Sequence, residues 1–278
     1  MARLIDVIRV VHPGPTLLNA AAALTLAEIA GASSHRALLA AVTMLGAHAF
    51  IGTLNDLIDR HVDRARREKP IAAGRISVRT SAAIAAIALL IGLAAAIALG
   101  PLTLIIATLG IVLGVTYNLG VKRSVLSWLP FALGVALIPP FAWAAAEAPL
   151  PAAIRVLSLA AITGGAALAM QNGLADRAID TAVGLRGAVV QLGDRRAWIA
   201  AALLHLCTLI VVFSTLSGSL GSSGGRGAAL LIAGAATQVV SLVLSTTGQP
   251  SLRRRGWEAG GIGLLLLAIA VALEGAAT

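Results

Sequence analysis

Charge, sulfur and aromatic carbon are all scarce in this chain. Of its 278 residues, 12% are charged, 3% are aromatic and one is a cysteine. The lone Cys207 excludes an internal disulfide and a thiolate cage for zinc, and it leaves the redox compartment undetermined. So few charges cannot clothe a water-soluble domain of this size. What is present instead is apolar: 58% of residues are hydrophobic and the mean hydropathy is +0.92, which excludes a water-soluble enzyme. A formal charge of +9 would suggest nucleic acid in a soluble chain. Here Lys and Arg are interleaved with long apolar runs, a pattern that suits lipid phosphates and membrane orientation and implies no nucleic-acid partner.

A helical bilayer crossing needs about 20 mainly apolar residues. Nine such stretches are predicted, near residues 16–32, 37–54, 80–99, 102–119, 125–146, 153–170, 197–216, 228–244 and 259–273. Hydrocarbon offers backbone groups no water to bond, so the expected fold class is all-α: a polytopic bundle of nine transmembrane helices forming a single membrane domain over 1–278. Frequent Ala and Gly suit close helix packing. Pro13-Gly14-Pro15 separates the first crossing from residues 1–13, where Arg3, Asp6 and Arg9 among apolar neighbours read as an interfacial segment. The long charged lead-in to a repeating multispan pattern is not that of a cleaved signal peptide. Nine crossings put Arg36, Arg155 and Arg226 on one side and every other Lys and Arg on the opposite side. That asymmetry predicts that the N-terminus, the connections 55–79, 120–124 and 171–196, and Arg253-Arg254-Arg255 are cytoplasmic.

Acidic residues gather at that same side. Asn55, Asp59 and Asp63 recur every four residues where the second stretch ends, a spacing that puts them on one face of a helix. Asn172, Asp176 and Asp180 repeat the pattern after the sixth stretch. Both copies follow the second helix of a four-helix block, with a ninth helix appended, as an internal duplication would produce. Any one such loop reads most simply as a solvated face; the repetition is what points to a site. Two carboxylate ladders at one mouth repel unless cations lie between them, and hard oxygen donors suit Mg²⁺ shared with a phosphorylated ligand. Arg64, Arg66, Arg67 and Lys69 follow the first ladder, Arg177 and Arg186 the second, and Lys122-Arg123 end the fourth stretch. Arg253-Arg254-Arg255 reads as a topology anchor or lipid contact, and Asp194-Arg195-Arg196 as a solvated connection.

These residues resemble the signatures of the UbiA superfamily of intramembrane prenyltransferases. Its NDxxDxxxD motif, followed by a basic stretch and a Pro-x3-Gly turn, is similar to Asn55-Asp56-x2-Asp59-x3-Asp63 and Arg66-Arg67-Glu68-Lys69-Pro70 through Gly74. Its second DxxxD motif with a following Gly is similar to Asp176-x3-Asp180-x3-Gly184, and its Tyr-Ser-x3-Lys-Arg run to Tyr117-Asn118-x3-Lys122-Arg123. Lys69 stands where the family more often has Arg, which loses a bidentate fork. Asn118 replaces Ser, and Gly173 stands where many members carry a further Asp.

The resemblance implies Mg²⁺-dependent transfer of a prenyl group from a prenyl diphosphate to an aromatic or other lipophilic acceptor, through an allylic carbocation, in a central cavity of the bundle. It implies Mg²⁺ held by Asp59, Asp63, Asp176 and Asp180, assisted by Asn55 and Asn172. Arg67, Lys69, Lys122 and Arg123 are the candidates to grip the departing oxygens, with Lys122 also a catalytic candidate and Asn118 and Arg186 as further substrate-binding positions. Asp56 lies about 100° round the helix from Asn55 and is expected to orient Arg or accept a proton. Tyr117 has two readings, a ring that stabilises the cation or bonds diphosphate, and an interfacial aromatic. His48, two turns before Asn55, is a candidate for the acceptor or a helix-packing histidine; Asn19 and Glu28 are buried-polar candidates. Two other functions compete. A terpene cyclase on the same site is disfavoured by the few aromatics. A transporter of Mg²⁺ or a phosphorylated lipid should place ionisable groups at mid-membrane and on both sides. The oligomeric state is left open.

Overall fold

The computed structural model of the chain describes residues 2–66, 68–218 and 225–275, and among them every regular element is helical. The helices are α1 (Ala2–Val10), α2 (Pro13–Ile29), α3 (Ser34–Asp59), α4 (Val78–Leu99), α5 (Pro101–Leu119), α6 (Leu129–Ala136), α7 (Ile138–Ala145), α8 (Ala152–Ala182), α9 (Ala188–Leu216), α10 (Arg226–Ser245) and α11 (Pro250–Gly275). Seven of them, α3 to α5 and α8 to α11, are long and apolar enough to cross a bilayer. Helix α2 has 17 residues, and α6 and α7 form a shorter apolar segment over Leu129–Ala145. Leu90, Ile97, Ile105, Phe213, Ile232 and Val243 point outward from α4, α5, α9 and α10, each more than half exposed. That is the surface of a bundle solvated by lipid. The chain is an integral membrane protein.

Local chemistry sets many of the boundaries. Ser33 and Ser77 cap α3 and α4, each hydroxyl accepting a backbone N–H three residues on, at 3.4 and 3.0 Å. Between α4 and α5 the chain reverses at Gly100, whose φ of 117° no β-carbon would tolerate, and Pro101 then opens α5 where its missing N–H costs nothing. Helices α3 and α4 touch backbone to backbone: a β-carbon on Gly46 would stand 2.5 Å from the Ala88 carbonyl oxygen and 2.6 Å from Gly92. At one end of the bundle Arg36 ties three helices together, donating to the carbonyls of Ala145 at 2.6 Å and Leu99 at 2.9 Å and pairing with Glu147 at 3.1 Å. Leu26, Phe141, Ile154, Leu216 and Leu267 fill the dry core, each at most 1% exposed.

Several expected boundaries shift. The stretch 125–146 is two helices that meet at Leu137, ahead of Pro139-Pro140, because proline lacks the N–H and crowds the preceding turn. The second ladder is not in a loop: α8 continues through Ala182, so Asn172, Asp176 and Asp180 share one helix. Helix α9 starts at Ala188 and bends at Gly193, and α11 begins at Pro250, which makes Arg253-Arg254-Arg255 helical. In the first ladder the reverse holds. Helix α3 ends at Asp59, and Asp63 sits on a separate 3₁₀ turn, Val62–Ala65.

Candidate active site

At the end of the bundle opposite Arg36, the last turns of α3 and α8 open on one cavity of about 1230 Å³. Its wall includes His48, Asn55, Asp56, Asp59, Asp63, Lys69, Tyr117, Asn118, Lys122, Asn172, Asp176 and Asp180. Below this rim it is lined by apolar side chains, among them Ile106, Leu113, Phe131, Leu157 and Leu264.

The two acidic motifs meet through arginine. Arg66 places one guanidinium nitrogen 3.6 Å from Asp63 and another 3.4 Å from Asp176, joining residues more than a hundred positions apart. Arg254, from the start of α11, reaches the same Asp176 oxygen at 2.8 Å. Lys122 pairs with Asp59 at 2.5 Å. Asp56 is 2% exposed; its Oδ1 accepts from Lys69 and from His12 Nε2, the latter at 3.0 Å, while its Oδ2 is buried without a hydrogen-bond partner. Asn118 acts on Asn55: it accepts from the Asn55 amide at 2.9 Å and donates to the Ile51 carbonyl at 3.0 Å. Burial pushes the Asp63 carboxyl above the usual carboxylate range; Lys69 and Arg66 pull it back down, and the neighbouring Asp59 and Asp56 charges add smaller upward pushes.

The Asp180 carboxylate makes no hydrogen bond or ion pair among the described residues, although its carbonyl accepts from Leu185 N–H at 2.9 Å. No three Asp, Glu, His or Cys side chains among those residues stand close enough to cage an ion alone. The set is therefore hard oxygen donors on two walls with part of their coordination left to another species. That fits an ion which takes one or two carboxylates and completes its shell with phosphate and water.

Two expected substrate-binding residues are not brought to this cavity. Lys122 and Arg123 share the 3₁₀ turn Val121–Arg123, where successive side chains diverge by about 120°; Lys122 is turned in and Arg123 is exposed. Arg186 lies exposed in the connection after α8, and its carbonyl accepts from the Gln191 side chain. Arg67 lies outside the described residues. Sequence reasoning did not single out His12, the bridging role of Arg66, or Arg254 as a partner of Asp176. The Asp194 connection is also structured: Asp194 accepts from Arg177 at 3.0 Å and Arg253 at 2.9 Å.

Comparison with known proteins returns the same architecture. A UbiA homolog from Archaeoglobus fulgidus, solved bound to GPP and Mg²⁺, superposes with a TM-score of 0.74 at 22% identity, covering 96% of this chain and 99% of that one. The same homolog bound to DMAPP and Mg²⁺ gives 0.75 at 21% identity with the same coverage. A UbiA homolog from Aeropyrum pernix K1 gives 0.72 at 17% identity, covering 92% and 96%. Among curated proteins, a 4-hydroxybenzoate octaprenyltransferase of Coxiella burnetii is 28% identical over 143 residues. That match takes in 50% of each sequence, so the chain spans about half the length of the curated relatives it matches. The model of the UbiA prenyltransferase family matches residues 16–257, which contain both acidic motifs and all but the outermost helices. On that match the chain belongs to the UbiA prenyltransferase family.

Proposed function

We propose that this chain transfers a prenyl group from a prenyl diphosphate to a hydrophobic acceptor inside the bilayer, with Mg²⁺ as cofactor and diphosphate released. The observation that carries the reading is the Arg66 bridge between Asp63 and Asp176, which gathers two acidic motifs at the mouth of one apolar cavity. The assigned metal donors are Asn55, Asp59, Asp63, Asn172, Asp176 and Asp180. When bound, Mg²⁺ withdraws charge from the diphosphate and makes it a better leaving group. Arg66, Lys69, Lys122 and Arg254 then supply hydrogen bonds to the departing oxygens, replacing Arg123 and Arg186 in that role, with Arg67 kept as a sequence-based candidate. Asn118 positions Asn55. Tyr117 borders the space where an allylic cation forms, and His48 faces the acceptor. The apolar lower cavity houses the isoprenoid tail and excludes the water that would quench the cation.

The same reading gives nine crossings, by counting α2 and the α6–α7 pair with the seven long helices. They form two four-helix blocks plus α11 in a single membrane domain, with α1 as the interfacial segment and the cavity mouth on the cytoplasmic side. The Coxiella relative's name favours an aromatic acceptor. Aromatic side chains on the cavity wall are Tyr117, Phe131 and Trp257, a sparse lining for a cyclase that must steer a migrating cation.

The test is to incubate the purified chain with Mg²⁺, prenyl diphosphates of graded length and a panel of acceptors. Prenylated acceptor together with stoichiometric diphosphate is expected. Diphosphate release with a hydrocarbon product and no need of acceptor would instead mark a cyclase, and binding without diphosphate release a transporter.

A further inference from the structure

His12 lines the cavity wall but belongs neither to the acidic motifs nor to the Lys and Arg that pair with them. It links α1 to α2 in a left-handed backbone conformation, with φ 50° and ψ 65°, that non-glycine residues seldom adopt. The ring is held in two ways. Its Nε2 lies 3.0 Å from Asp56 Oδ1. Its edge packs against α3 at Gly52, where a β-carbon would fall 2.9 Å from the ring, so only glycine leaves the imidazole its place. Asp56 already accepts from Lys69 on that same oxygen, and a carboxylate only accepts, so the hydrogen on Nε2 belongs to the histidine. In the neutral imidazole the lone pair is then on Nδ1, which makes no hydrogen bond among the described residues. The side chain keeps 30% of its exposure, and the residue lines the cavity. Beside it, Asp56 Oδ2 is buried with no partner and is free to accept from a hydroxyl.

A carboxylate that fixes one ring nitrogen as a donor and leaves the other without a partner, on a residue that lines the cavity, is the arrangement of an oriented general base. We propose that His12 is a catalytic residue, the base that takes the proton shed by a hydroxyl-bearing acceptor during transfer. The inference rests on the prenyl-transfer reading. The allylic carbon–oxygen bond of the donor breaks and its electron pair leaves on diphosphate. A nucleophilic carbon or oxygen of the acceptor supplies the pair for the new bond to the allylic carbon. The proton which that atom loses passes to His12 Nδ1, and nothing is oxidised or reduced.

The test separates transfer from ionisation. Full-length wild type and His12→Gln are purified in detergent and given Mg²⁺, geranyl diphosphate and 4-hydroxybenzoate as a hydroxyl-bearing probe, with prenylated product and diphosphate measured in parallel. Glutamine keeps an N–H near Asp56 and removes the base. The expected result is a loss of product of about 100-fold or more, while diphosphate is still released as the cation is lost to water. Product within about threefold of wild type would overturn the assignment. So would loss of product and diphosphate release together, because His12 would then act on ionisation through Asp56. If His12→Gln proves unstable, His12→Ala with added imidazole replaces it; recovery of product supports a base, and no recovery in the folded variant counts against one. Wild type that releases no diphosphate from any prenyl donor would defeat the prenyl-transfer reading itself, a distinct failure.

Discussion

Asp176 shows how much chemistry converges on single side chains here. It holds Arg254 and Arg66 on one oxygen and stands opposite Asp59, which is engaged by Lys122. Asp176→Ala and Asp59→Ala are each expected to cut turnover at least about 10³-fold, in the range of losing a main electrostatic contributor to a transition state, while the variants remain folded in detergent; steady-state rates beside a melting curve check this. Arg254→Ala should act differently. Under the proposed function it removes one of several cations assigned to the diphosphate, so a fall in kcat/KM of about 10- to 100-fold is expected, carried by the KM for the donor. Asn55, Asp59 and Asp176 were legible in the sequence because a four-residue spacing survives folding on a helix. Arg254 was not. It comes from a helix 78 positions away from its partner, and three consecutive arginines after an apolar run look the same whether they face lipid headgroups or a carboxylate. His12 was hidden for the same reason, since its pairing with Asp56 spans 44 positions and leaves no periodic trace.

Among the elements, those read most readily were the helices with unbroken apolar runs, such as α4 and α5. Helices α8 and α11 were read too short, since a charged side chain ends a hydropathy signal without ending the backbone ladder that makes the helix. Asp63 failed the other way: its spacing continued the α3 pattern, but the helix stops at Asp59 and a 3₁₀ turn carries the carboxylate to Arg66. The α3–α4 seam gives an element-scale prediction. Gly46→Leu would force its side chain into the Ala88 carbonyl and Gly92, so the helices must separate. A destabilisation of about 1–3 kcal/mol is expected, together with reduced activity because α3 carries the first acidic motif. Thermal unfolding in detergent reads the first effect and turnover the second.

For the molecule as a whole, the sidedness given by Lys and Arg can be tested directly. With Cys207→Ser as a thiol-free background, Arg123→Cys and Glu147→Cys place one exposed thiol near each end of the bundle. A membrane-impermeant maleimide applied from the cytoplasmic side should label the first and spare the second; the opposite pattern would reverse the orientation. Removing divalent ions with a chelator should abolish turnover, with Mg²⁺ restoring it. The pairing of Lys122 with Asp59, and of Arg66 and Arg254 with Asp176, carries one more implication. The mouth supplies its own counter-ions, so assembly of the bundle need not wait for a metal, in contrast to small domains that collapse only around one. Chelation should therefore silence the enzyme while barely moving its melting temperature, and the arrival of ion and donor amounts to a change of partners among groups already standing in place.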